Sequence, residues 1–137
     1  MREGGISDCE ERTFCSMEHS DFDAKTVLKR ILRKYPGFTA LVTGSDLDLL
    51  RMVRAMGAIN LPWAGKIALT GFGNVAGISN VLPMATIDQH PYRLGRRAAE
   101  CLIDMIEHGQ PPEPVHDILD VEILNAHHIP ILNRNFH

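Results

Sequence analysis

Lys66-Ile67-Ala68-Leu69-Thr70-Gly71-Phe72-Gly73-Asn74 is the stretch on which the chain turns. Its first half is a short apolar run that reads as a buried strand. Its second half is a glycine-rich turn. In an open α/β sheet, ligands sit in the crevice beyond the carboxyl ends of the strands. A Gly-Phe-Gly-Asn turn placed there offers close backbone approach, one aromatic face and one amide.

Working upstream, residues 38–43 form an unbroken apolar run, which suits a strand buried on both faces. Gly44-Ser45-Asp46 is the following turn, and Ser45 or Asp46 is placed to cap the next helix, with Asp46 the stronger cap candidate than ligand contact. Leu49, Leu50, Val53 and Met56 form that helix's core face, and Gly57 is expected to end it at the C′ position. Leu61-Pro62 then breaks the chain. Further upstream, Val27, Leu28, Ile31, Leu32 and Tyr35 share one helical face. That helix opens at Phe22 or Asp23 and stops at Pro36-Gly37. Lys25, Lys29, Arg30, Arg33 and Lys34 take its other face, which reads as a solvated surface rather than a nucleic-acid footprint. Residues 12–17 are expected to form a first short strand.

Working downstream, residues 75–81 suit one helical turn and residues 84–88 another strand. Pro91 fits the first turn of the longest amphipathic helix, with Leu94, Ala98, Cys101, Leu102, Met105 and Ile106 as its apolar face and Gly109 as its end. A proline-rich connector over 110–114 leads to a closing strand over 118–124. Strand and helix alternate throughout, which specifies an α/β fold with a mainly parallel sheet flanked by helices. With the strands parallel, Phe22, Ser45, Gly73, Asn74 and Gln89 emerge on one rim. That convergence is the argument for a small-molecule site.

Composition narrows the classes. The 137 residues fit one ordinary domain. A formal net charge of −3 gives no electrostatic footprint for nucleic acid. No apolar run approaches bilayer-spanning length, and no export signal opens the chain. The three cysteines, Cys9, Cys15 and Cys101, are an odd number that favours free thiols in a reducing compartment. Cys9, Cys15 and His19 match no standard zinc spacing. No nucleophile motif, P-loop or Gly-x-Gly-x-x-Gly is present. Neither a metal, a cofactor nor catalysis is expected.

Six ordered segments carry a resemblance: Ala40-Leu41-Val42-Thr43-Gly44-Ser45-Asp46; Gly57; Leu61-Pro62; Ile67-Ala68-Leu69-Thr70-Gly71-Phe72-Gly73-Asn74; Leu82-Pro83-Met84-Ala85-Thr86-Ile87-Asp88-Gln89; and Leu94-Gly95-Arg96-Arg97-Ala98-Ala99-Glu100-Cys101-Leu102. In order and spacing they resemble the effector-binding domain of LacI/GalR-family transcription regulators, which has the periplasmic-binding-protein fold. The resemblance implies a small-molecule effector, usually a sugar or nucleobase, held in a cleft between two subdomains. It implies a cytoplasmic homodimer that touches DNA only through a separate N-terminal helix-turn-helix domain. It implies ligand contacts from Phe22, Ser45, Gly73, Asn74 and Gln89.

Departures from the family pattern shape these expectations. The helix-turn-helix, the hinge and most of the N-terminal subdomain have no counterpart here, so residues 1–137 are expected to be a partial effector domain that does not bind operator DNA. The helix after Pro91 would then lack part of its cover. Gly73 stands where the family usually has Asp; losing that carboxylate removes an anchor for neutral sugars and a charge that repels acidic ones, which brings sugar acids into range. Gly73 can equally serve only the turn. Ser45 replaces the usual Asn. Asn125-Ala126-His127-His128 replaces an ending with arginine and Ser/Thr. Two other readings share the architecture: a solute-binding protein of sugar transport, and an unrelated doubly wound enzyme.

Overall fold

The computed structural model describes residues 10–14, 23–109 and 116–129. Phe22, Cys9, Cys15, His19, the connector over 110–114 and most of the expected first strand lie outside these residues. Of that expected strand, Arg12 lies in a turn, and Thr13 and Phe14 have no regular structure.

Helix α1 (Ala24–Lys34) begins at Asp23, whose carboxylate accepts hydrogen bonds from the Lys25 amide at 3.0 Å and the Thr26 hydroxyl. Strand β1 (Ala40–Val42) follows, and then helix α2 (Asp46–Ala58). Leu28 and Ile31 of α1 pack against Leu49, Met52, Val53, Ala55 and Met56 of α2, where the core sits. Strand β2 (Ala68–Thr70), the single turn α3 (Ala76–Ser79) and strand β3 (Thr86–Asp88) come next. Helix α4 (Pro91–His108) and strand β4 (Glu122–Leu124) complete the regular elements, before a 3-10 turn at Ala126–His128.

The strands line up in the order β1-β2-β3-β4. β1 and β2 pair in parallel, with Ala40 opposite Ala68 and Val42 opposite Thr70. β2 meets β3 through a parallel bridge between Thr70 and Ala85, extended by hydrogen bonds from Ala85 N to Leu69 O and from Gly71 N to Ala85 O. β3 pairs with β4 antiparallel. The α/β fold with a mainly parallel sheet is therefore as the alternation specifies, with the antiparallel strand at one end.

Four local readings are corrected. β1 is not buried on both faces: only Leu41 turns toward the core, and Val42 is 74% exposed. Among the described residues β1 has a paired neighbour on one side only, β2. Gly57 does not end α2; it lies within its last turn. The stop is Asn60, with φ of 53°, where Leu61 N donates to Met56 O and Asn60 N to Gly57 O. Those two bonds form a Schellman motif with asparagine in the left-handed position. Asp46 is not the helix cap, because Ser45 fills that position. The closing strand is shorter than its alternating pattern: Ile118 is 93% exposed and precedes the paired residues.

Helix α4 forms as expected, with Pro91 in its first turn and Gly109 at its end. None of its residues is buried. Tyr92, Leu94, Leu102, Ile103 and Ile106 are all at least half exposed, so its apolar face meets no cover among the described residues.

Candidate functional site

The loops that leave β1, β2 and β3 depart from one rim, because the three strands run parallel. They are also tied to one another. Asp46 N donates to Phe72 O at 3.0 Å, joining the loop after β1 to the loop after β2. Gly73 N donates to Ile87 O at 2.9 Å, joining that loop to β3. Ser45, Gly73, Asn74 and Gln89 are thereby brought onto one edge.

The turn over 71–74 is held from beneath by Asp46. This carboxylate is fully buried. Its Oδ2 accepts from Val75 N at 2.7 Å and its Oδ1 from Thr86 Oγ1 at 2.8 Å. A polar group is buried at little cost only where hydrogen bonds replace its lost water, and each oxygen here accepts one. Gly71 is what allows the approach. A Cβ at that position would lie 2.2 Å from Asp46 Oδ1 and 2.6 Å from Met84 Cε. Gly73 has φ of 116°, a conformation that side-chain-bearing residues rarely adopt, so the turn itself calls for glycine there.

Asn74 sits in the left-handed region with φ of 50° and spans two elements. Its Nδ2 donates to Asp88 Oδ2 at 3.0 Å, and its Oδ1 accepts from Ser79 Oγ at 3.0 Å. Asp88 also accepts from the His90 amide at 2.7 Å. The His90 amide first, and then the Asn74 side chain, hold the Asp88 carboxyl below the usual carboxylate range. Ser45 Oγ accepts from Asp48 N at 3.1 Å and donates to Asp48 Oδ2 at 2.9 Å. After these bonds Ser45 keeps one lone pair, and Asn74 keeps one N–H and one lone pair. Gln89 is exposed, and its side chain has no hydrogen bond among the described residues. It is the rim amide most available to a ligand. Phe72, partly buried between the two glycines, puts an aromatic side chain in the turn itself.

Sequence reasoning missed the Asp46–Thr86–Val75 network and the Asn74–Asp88 bond. Nothing in local spacing signals them, since their partners are 40, 29 and 14 positions apart. The placement of Phe72 between two glycines of a strand-end turn was the available signal for its position. Two shallow hollows in the molecule lie on the flanks of α1, away from this rim. Among the described residues no group of three His, Cys, Asp or Glu is placed to hold a metal, and no helix is long and apolar enough to cross a membrane.

A strand-end turn of this kind, on a mainly parallel sheet flanked by helices, defines the open α/β class, and the comparisons narrow it to the periplasmic-binding-protein-like fold. The chain belongs to the periplasmic binding protein-like domain family, whose model matches residues 1–123. It is similar to a transcriptional regulator CelR in complex with cellobiose, with a TM-score of 0.65 and 25% identity over 76% of this chain and 33% of that one. It shares the fold of a periplasmic solute-binding protein from Actinobacillus succinogenes with bound D-allose, with a TM-score of 0.60 and 23% identity over 74% of this chain and 36% of that one. It also shares the fold of the Lac repressor bound to ONPG, with a TM-score of 0.61 and 22% identity over 74% of this chain and 30% of that one. The chain thus spans about a third of the length of these relatives. The LacI/GalR resemblance holds at the level of family and fold, and solute-binding proteins share the fold. No curated protein matches by sequence.

Proposed function

We propose that this chain supplies one wall of a sugar-sensing cleft in a LacI/GalR-type transcription regulator. The observation that carries the reading is the rim itself: a turn anchored by Asp46 and Asn74 that contains Phe72, and the exposed Gln89 amide just past the end of β3, which has no partner among the described residues. An apolar face next to a few fixed polar groups suits a sugar, whose ring has an apolar side and a hydroxyl edge. Ser45, Gly73, Asn74 and Gln89 are the contact residues, with Phe22 from the segment before α1. The effector is a sugar or, because position 73 carries no carboxylate, a sugar acid. The regulator works as a cytoplasmic homodimer, and DNA contact belongs to a separate N-terminal domain. Ligand acts by preferring one arrangement of the two cleft walls over the other.

The experiment is a thermal melt of the full chain with cellobiose, D-allose, D-glucuronate and D-gluconate. Binding to the folded state raises the transition by mass action, worth about 2.7 kcal/mol at a hundredfold excess over Kd. A rise with one class of ligand that is lost in Gln89→Ala supports the reading. A cooperative transition that no sugar or sugar acid moves counts against it. The likeness to an allose-bound solute-binding protein favours transport as a second reading. A helix-turn-helix encoded upstream supports the regulator, and an export signal there supports transport.

A further inference from the structure

We infer that the hollow beside α1 is a binding site for a phosphate-bearing small molecule of the nucleotide type. Helix α1 carries Lys25, Lys29, Arg30, Arg33 and Lys34 and no acidic residue, in a chain of net charge −3. Helix electrostatics do not account for this. Cations are favoured only in the last turn, where Arg33 and Lys34 sit, whereas Lys25 occupies the first turn against the positive end of the helix. Among the described residues only Lys34 of these five is ion-paired, to Glu11 at 2.9 Å.

Three of the five, Arg30, Arg33 and Lys34, gather round one depression, whereas Lys25 and Lys29 border a separate hollow against α2. A hollow of about 420 Å³ is lined by Glu11, Thr13, Phe14, Arg30, Arg33 and Lys34. Sites for small ligands occupy about 300–1,000 Å³. Phe14 is the aromatic residue of the lining; its ring meets Tyr35 behind it edge to face at 6.4 Å, and the Arg30 guanidinium lies 5.7 Å from its ring centre. Three cations beside an aromatic ring match an anion that also has a flat ring. Arginine in particular offers a fork of donors for phosphate oxygens. The hollow is open and charged, which selects a partly solvated, ionic ligand over a buried apolar one. Glu11 is the one carboxylate in the lining, and it opposes an anion while holding Lys34. This site is independent of the sugar rim, which lies at the other elements' strand ends.

The test is calorimetric titration of the full chain with pyrophosphate, ATP and adenosine. Saturable binding of pyrophosphate and ATP is expected, weakening with salt. Arg30→Gln and Arg33→Gln should each weaken it about tenfold, the loss of one charge-assisted contact. Arg54→Gln, on the exposed side of α2, should leave it unchanged. Glu11→Gln should tighten it, and Phe14→Leu should weaken ATP while sparing pyrophosphate. No saturation at millimolar pyrophosphate overturns the inference. So does an equal loss in Arg54→Gln, which would mean a diffuse charge effect. A single-stranded oligonucleotide that outcompetes ATP at equal nucleotide concentration overturns the small-molecule assignment in favour of a nucleic-acid surface.

Discussion

The turn over 71–74 and helix α4 lie on either side of β3, and they are built in opposite ways. The turn is closed on itself. Every anchor it has, from Asp46 to Thr86 to Asp88, is satisfied by another residue of the chain. Helix α4 is regular over 18 residues, yet buries none of them. The contrast separates two sources of order: one region is fixed by specific polar contacts to other elements, the other by its own backbone hydrogen bonds, a Pro91 start, a Gly109 end and exposed ion pairs such as Arg96–Glu100 at 2.8 Å. Most of a helix's stability in a protein comes from packing its apolar face, and α4 has no such packing among the described residues. A turn closed by internal hydrogen bonds therefore stands in the same chain as an apolar surface that has no partner among the described residues.

The sharpest way to break this contrast is to remove the carboxylate under the turn. Asp46→Ala leaves the buried Thr86 hydroxyl and the partly exposed Val75 amide without their acceptor. A buried group so left costs about 1–3 kcal/mol and an amide that water can reach costs less, so the variant should lose roughly 3 kcal/mol. Urea denaturation would read this as a lower midpoint with an unchanged slope. Asp46→Asn keeps one acceptor oxygen and should lose about half as much. If Asp46→Ala fell within 1 kcal/mol of the parent, on the order of ordinary surface substitutions, the turn would not depend on this latch.

Gly71→Ala attacks the same contact from the other side. Its new Cβ would enter the space held by Asp46 Oδ1 and stand 3.2 Å from the Asp46 Cα. Met84 Cε can swing aside, but the Asp46 carboxylate is pinned by two hydrogen bonds. A cost of about 2–3 kcal/mol is expected from overpacking. Combined with Asp46→Ala, the two losses should add to less than their sum, because the second removes the clash of the first.

These two residues also mark where sequence reading stopped. The strand, the turn and the rim were legible in Ile67-Ala68-Leu69-Thr70-Gly71-Phe72-Gly73-Asn74, because burial period and glycine placement are local properties. The order of helices was legible for the same reason: Asp23, Ser45 and Pro91 are local start signals. The stop of α2 was misread because both Gly57 and Asn60 can take a left-handed terminus, and the hydrogen bonds to Met56 and Gly57 decide between them. The burial of β1 was misread because an apolar run does not say how many neighbours it has. Asp46 looked like a cap, since a carboxylate at a helix start is usually one; its partner Thr86 is 40 positions away and leaves no local trace.

The bond between Asn74 and Asp88 gives a pH-dependent test of the turn. Asp88 is held below its ordinary pKa in the folded chain, by the His90 amide and then by Asn74. A carboxyl with a depressed folded pKa contributes stability above its unfolded pKa, and that contribution is lost as pH falls through the folded value. The melting temperature of the parent should therefore fall toward Asp88→Asn as pH drops below about 4, the ordinary carboxylate range. Near neutral pH the parent should be the more stable of the two. Parallel curves across the whole range would show that Asp88 carries no such linkage.

The smallest effect belongs to α4, and it is informative only when paired with a core site. Leu49→Ala in α2 removes a side chain that is fully buried, and should cost roughly 2–5 kcal/mol. Leu102→Ala in α4 makes the same chemical change at a position 59% exposed, and should stay within about 0.5 kcal/mol. A large loss at Leu102 would mean that something covers the helix in solution. The apolar face gives that cover a definite form: exposed patches of this kind favour association. Ile106→Asp places a charge at a position 74% exposed in the same face. It should therefore leave monomer stability almost unchanged while lowering the sedimenting mass and the binding of a hydrophobic dye. A monodisperse, dye-silent parent would remove the premise, because a face that neither associates nor binds dye is already covered.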